Sequence, residues 1–74
     1  MEKSKITVKG ARVNAGFTQQ EVADKLQISR GKYISLEQNP ENFTIKLATA
    51  FANEVGLTID DIIFSANSTL SRVS

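Results

Sequence analysis

Two groups of residues have types and spacings that bear on chemistry. The first is Arg30, Gly31, Lys32, Ile34, Ser35 and Gln38, directly after Ser29. On a helix, residues three and four apart share a face. Arg30, Gly31, Ile34, Ser35 and Gln38 would then lie opposite Tyr33, Leu36 and Glu37, and the polar set should look outward. A guanidinium fork, a hydroxyl and a side-chain amide on one outward face suit the reading of hydrogen-bonding edges on a polyanion. The second group is Asp60-Asp61, which looks like a pair of catalytic carboxylates. Adjacent residues at a helix start diverge, and acids there are favoured by the helix dipole, so capping explains them better than acid/base work.

What the chain lacks narrows the chemistry further. It has no Cys and no His, which removes disulfides, the usual zinc ligands and the Ser-His and Cys-His nucleophilic pairs. Gly10, Gly16, Gly31 and Gly56 are dispersed and do not form a phosphate loop. No enzymatic activity, metal, cofactor or small-molecule substrate is expected.

Charge is divided unevenly along the chain. Residues 1–32 carry seven Lys and Arg against three Asp and Glu, whereas residues 33–74 carry two against five. The net +1 therefore conceals +4 followed by −3, and a basic first half suggests a side that faces a polyanion. Lys3, Lys5 and Lys9 fit either a basic N-terminal arm, centred on residues 1–5, or solubilising charge.

These residues need a scaffold, and the apolar spacing supplies one. Seventy-four residues, 41% of them hydrophobic, make one domain close to the smallest that a single apolar core can hold without staples. No apolar run is long enough to cross a bilayer, and the polar N-terminus does not read as a secretory signal. A cytoplasmic, reducing location is expected.

No sustained period-2 alternation is present, so the expected fold class is all-α, with five short helices over residues 6–64. Ile6, Val8, Ala11, Val13 and Ala15 give the first, ended by Gly16 in a left-handed position. Thr18 and Glu21 form a capping box at the start of the second, which runs to Leu26. Ser29 caps a third reaching about Gln38, and Asn39-Pro40-Glu41-Asn42 reads as a turn. The fourth begins at Thr44, carries Leu47, Ala48, Phe51, Ala52 and Val55 on one stripe, and stops at Gly56. A second capping box, Thr58 with Asp61, would open a fifth helix over Ile59 to Phe64. Residues 65–74 are Ser-rich without an apolar period and read as a flexible tail.

The helices Gln19 to Leu26 and Ser29 to Gln38 are joined by only about two residues, which forces a steep crossing. Ala23 is small enough for close approach, and Val22, Leu26, Ile28, Tyr33 and Leu36 supply the apolar wedge. The hydroxyl of Tyr33 must reach solvent or a partner, which would leave the core open at that edge.

The run Thr18-Gln19-Gln20-Glu21-Val22-Ala23-Asp24-Lys25-Leu26, followed by Ile28-Ser29-Arg30 and Ile34-Ser35-Leu36-Glu37, resembles the Cro and repressor family of helix-turn-helix regulators. The likeness extends through Leu47, Phe51-Ala52, Val55 to Ile59 and Asp61-Ile62, covering roughly residues 6–64. It implies a lambda-repressor-like domain that binds double-stranded DNA as a transcriptional regulator, a repressor of Cro-like prophage type, and as a homodimer on a palindromic operator.

By position, the resemblance places Gln19 on the DNA backbone or a base edge. It places Arg30, Gly31, Ile34 and Ser35 in the major groove and Ser29 among the DNA contacts, with Lys32 and Gln38 near the flanking phosphates and Lys46 at a phosphate or the minor groove. It also sets Gln27 where the family's turn commonly has Gly at positive φ, a departure that costs on the order of 1 kcal/mol. Arg12 and Glu37 match a structural ion pair tying the first helix to the third. Ile62, Ile63 and Phe64 exceed what one face of a short helix needs and are candidates for a dimer contact. The cation-free turn Asn39 to Thr44, with Glu41 in it, departs from the family and leaves open a protein-interaction module, such as an antitoxin, built on the same scaffold.

Overall fold

A computed structural model describes residues 4–64. Four α-helices follow a short first strand: β1 (Ile6–Thr7), α1 (Val8–Ala15), α2 (Gln19–Leu26), α3 (Arg30–Gln38) and α4 (Ile45–Glu54). A 3-10 turn at Pro40–Asn42 links α3 to α4, and a second at Ile59–Asp61 leads into β2 (Ile62–Ile63). Residues 1–3 of the expected N-terminal arm (1–5) and the whole of the expected tail (65–74) lie outside the described residues.

Each helix begins on a hydroxyl. Thr7, Thr18, Ser29 and Thr44 accept hydrogen bonds from the backbone N–H of Gly10, Glu21, Lys32 and Leu47 at 2.9, 3.0, 3.0 and 3.1 Å. Such caps satisfy amides that have no partner within the helix. At Thr18 the cap is reciprocal, since its own N–H donates to Glu21 Oε1 at 2.8 Å, as the Thr-x-x-Glu spacing predicts. The short connection between α2 and α3 turns on Gln27, at φ 60° and ψ 41°. It is the only non-glycine residue with positive φ among those described.

The core is continuous across the helices. Val8 and Ala11 from α1, Val22, Ala23 and Leu26 from α2, Tyr33 from α3, and Phe51 and Ala52 from α4 are buried together with Ile62. The α2 helix lies against both α3 and α4, and the fully buried Ala23 permits that approach. Rings fill the far side: Phe43 and Phe64 meet edge-on with centroids 5.0 Å apart, and Phe51 lies 5.7 Å from Phe43 and 6.3 Å from both Phe64 and Tyr33. Such tilted and edge-on pairs add stabilisation beyond their buried area.

The structure corrects two expectations at the ends of the domain. Among the described residues there is no fifth α-helix. Asp61 Oδ2 does accept from Thr58 N–H at 3.0 Å, but one 3-10 turn follows and the chain then extends. Ile62 and Ile63 are consecutive β-branched residues, which favour extended backbone. They pair in parallel with β1, Ile6 opposite Ile62 and Thr7 opposite Ile63. Helix α1 accordingly starts at Val8 and not at Ile6, because Thr7 is its cap.

Alternation along β2 also changes the reading of the apolar end. Ile62 is buried in the core, not presented to a second subunit, and Phe64 is engaged with Phe43 and Phe51. Only the half-buried remainders of Ile63 and Phe64 face outward.

The left-handed turn at Gln27 has a measurable consequence. Replacing Gln27 with Gly removes the Cβ contact that costs about 1 kcal/mol there, partly offset by a freer unfolded chain. The thermal midpoint of Gln27→Gly, followed by circular dichroism, should rise by a few degrees; a lower midpoint would show that the turn is unstrained.

Candidate nucleic-acid interface

The outward face of α3 is defined by what holds its inward face. Tyr33 and Leu36 are buried, Tyr33 completely, and they point α3 toward the core. Arg30, Gly31, Lys32, Ser35 and Gln38 are exposed on the other side, with Ile34 half-buried at the margin. The polar set selected by spacing alone is thus a single accessible surface. Ser29 is exposed as well, but its Oγ is engaged in capping the helix through Lys32 N–H.

A carboxylate fixes this orientation. Glu37 Oε2 accepts from Arg12 Nε at 2.7 Å and from the Tyr33 hydroxyl at 2.7 Å. Its Oε1 accepts from Gln19 Nε2 at 2.9 Å and more distantly from Arg12 Nη2 at 3.4 Å. Arg12 Nη1 also donates to the Phe17 carbonyl at 2.9 Å. The Arg12 and Glu37 side chains are only 11% and 6% exposed, so one shielded cluster ties α1, α2 and α3 together.

The cluster sets the protonation of its members. Burial alone would raise the pKa of Glu37, but hydrogen bonds from Arg12, Tyr33 and Gln19 and the Arg12 charge outweigh it and hold the carboxyl below its ordinary value of 4.5. The hydrogen bond to Glu37 raises the Arg12 pKa despite burial. Burial, reinforced by the adjacent carboxylate, pushes the Tyr33 phenol far above its usual range. Tyr33 therefore serves as a fixed O–H donor.

Two assignments change in this light. The hydroxyl of Tyr33 finds Glu37, so the core is closed at that edge instead of open. Gln19, read from the sequence as a DNA contact, has one amide hydrogen bond committed to Glu37. It remains half-buried, with its Oε1 and second N–H left for other partners. The signal that could have revealed the Tyr33 contact is the Tyr-x-x-x-Glu spacing, which sets the two side chains side by side on one helix.

Arg30 is placed close to the start of α2. Together with Thr18, Gln19, Gln20 and Val13 it lines one open groove at the surface. Arg30, Lys32 and Lys46 are exposed and make no ion pair among the described residues. Lys25, by contrast, is committed within the fold, 4.7 Å over the Phe17 ring and 3.8 Å from Glu54. Beside Lys46 at the start of α4, Ile45 is 78% exposed, an accessible apolar side chain that the sequence pattern did not single out. Glu41 is exposed on the turn between α3 and α4.

Among the described residues no helix is long and apolar enough to cross a membrane. A family model described as helix-turn-helix matches residues 8–62, which spans α1 through the first residue of β2. No curated protein and no solved structure matches the chain.

The Glu37 cluster generates two expectations for stability. Tyr33→Phe leaves the packing in place and deletes a hydrogen bond to a buried charge, and should cost about 1.5–3 kcal/mol in denaturant unfolding. For acid, a carboxyl with a depressed folded pKa contributes stability that is complete above its unfolded value, near 4.5, and lost as pH falls through the folded pKa. Glu37→Gln should therefore be less stable than the native chain at neutral pH, and the gap should narrow as pH drops below 4.5. A gap independent of pH would contradict the assigned charge state.

Proposed function

The chain belongs to the helix-turn-helix family of Cro and repressor type, a family of DNA-binding transcription regulators, and from this we propose that it is a sequence-specific repressor of Cro-like, prophage type, working in the cytoplasm. The observation that carries the reading is the exposed polar face of α3, with Arg30 and Lys32 in no ion pair among the described residues and Tyr33 and Leu36 anchoring the opposite side. A helix held by its apolar side after a capped helix and a three-residue connection, Gln27 to Ser29, is the arrangement that enters a major groove.

In this reading Arg30 reads a base. Its fork donates two hydrogen bonds to guanine O6 and N7, a contact that discriminates by about 1–3 kcal/mol. Ser35 and Gln38 offer further polar contacts, and Ile34 packs on a thymine methyl. Lys32 and Lys46 meet phosphates, and the remaining amide N–H of Gln19 joins them at the start of α2, where a helix N-terminus already favours anions. The protein binds a palindromic operator as a homodimer, as symmetric half-sites require, and the half-buried Ile63 and Phe64 are the surface left for that contact.

Selection of duplexes from a random pool tests the reading, because site sequence and half-site spacing emerge together. On the selected duplex, Arg30→Ala should lose about 1–3 kcal/mol and relax preference at one base pair. Lys32→Ala should weaken all duplexes alike and lower the slope of log K against log salt by about 1. Full affinity in both variants would place the interface elsewhere. If no sequence is selected while a protein co-purifies in stoichiometric amount, the scaffold serves protein binding, the antitoxin-like alternative that the acidic turn at Glu41 allows.

A further inference from the structure

The fold accounts for three of the four glycines. Gly16 and Gly56 have φ of +84° and +77°, where a side chain is strained. A Cβ on Gly10 would stand 3.0 Å from Ile6 Cγ1 and 3.0 Å from Thr7 Oγ1, crowding the strand and the cap of α1. Gly31 differs from all three. It has ordinary helical backbone, and a Cβ placed on it meets nothing within 4 Å.

A glycine inside a helix is unfavourable relative to alanine, so the folded chain alone gains nothing from it. Its position indicates what does. Gly31 lies on the exposed face of α3 with Ser35 and Gln38, four and seven residues on. It is opposite Tyr33 and Leu36, and its neighbours in sequence are the exposed Arg30 and Lys32.

We infer that Gly31 is a specificity-determining position of the DNA contact: its bare Cα lets base edges on the floor of the major groove reach the α3 backbone. Arg30 on one side is assigned to a base edge and Lys32 on the other to a phosphate on the groove wall, so residue 31 lies over the floor between them. Any side chain at residue 31 holds the helix, and with it the Arg30 fork, away from the bases while leaving Lys32 able to touch phosphate. The inference rests on the DNA-reading function proposed above.

The test compares the native chain with Gly31→Ala and Gly31→Leu, using the duplex selected by the native chain and an unrelated duplex, alongside thermal melts. Gly31→Ala should melt at or above the native midpoint. It should bind the selected duplex about tenfold more weakly, and Gly31→Leu about a hundredfold more weakly, consistent with the loss of one or two base contacts. Binding to the unrelated duplex, carried by phosphates, should change by no more than about threefold. Unchanged or tighter binding of both variants to the selected duplex overturns the inference and leaves the DNA-reading proposal standing. So does an equal loss on both duplexes, or a lower midpoint for Gly31→Ala, which would show that the fold itself needs the glycine. If the native chain selects no duplex, the DNA-reading proposal fails first, and this inference with it.

Discussion

The buried carboxylate of Glu37 is the constraint on which the arrangement of the first three helices depends. An ionised group removed from water is tolerated only when it is paired and its lone pairs are satisfied. Here the donors come from three helices: Arg12 of α1, Gln19 of α2 and Tyr33 of α3 itself. Among the described residues no buried side-chain nitrogen or oxygen lacks a partner. Removing Arg12 or Glu37 leaves the other charge shielded from water without its partner, which costs up to about 3–5 kcal/mol when the pair is buried. That is a large share of the stability of so small a domain. The cluster therefore specifies the rotation of α3 about its own axis, and with it the residues that face outward.

The local rules carried much of this fold. Thr18 with Glu21, Ser29 and Thr44 mark three helix starts through hydrogen bonds to residues three positions away, and Gly16 and Gly56 mark the left-handed residues that follow α1 and α4. The apolar spacing of Val22 and Leu26, of Tyr33 and Leu36, and of Phe51 with Ala52 separates buried from exposed faces. What escaped depends on residues distant in sequence. The pairing of Ile6 with Ile62 brings the two ends of the domain together, and no local window over Ile59 to Phe64 contains the strand that pulls it out of a helix. The Thr58 and Asp61 spacing therefore predicts a helix start, whereas in the fold it opens a single 3-10 turn.

The same limit applies to the site. The outward set Arg30, Gly31, Ser35 and Gln38 follows from helical geometry once the inward set is known. The engagement of Gln19 with Glu37 does not, because it depends on the crossing of α2 and α3. Ile45 is a further case: the apolar stripe of Leu47, Ala48, Phe51 and Ala52 leaves it aside, and among the described residues it is one of two exposed large apolar side chains, with Val13. Charge shows a related pattern. The basic first half of the chain includes Arg12, shielded with Glu37, and Lys25, paired at the surface with Glu54, so among the described residues the unpaired cations on α3 and at the start of α4 are Arg30, Lys32 and Lys46. A surface with so few cations gains less from phosphate and depends more on close contact with bases.

The central claim, that α3 is held by Glu37 and its apolar side so that the opposite face meets DNA, is tested most directly by backbone amide shifts during titration with a selected duplex. The account predicts that the largest changes fall on Gln19, Gln20 and residues 29–38, with smaller ones at Lys46 and little at Asn53, Glu54 and Asp60. Changes concentrated at residues 59–64, with those of α3 unmoved at saturation, would contradict it.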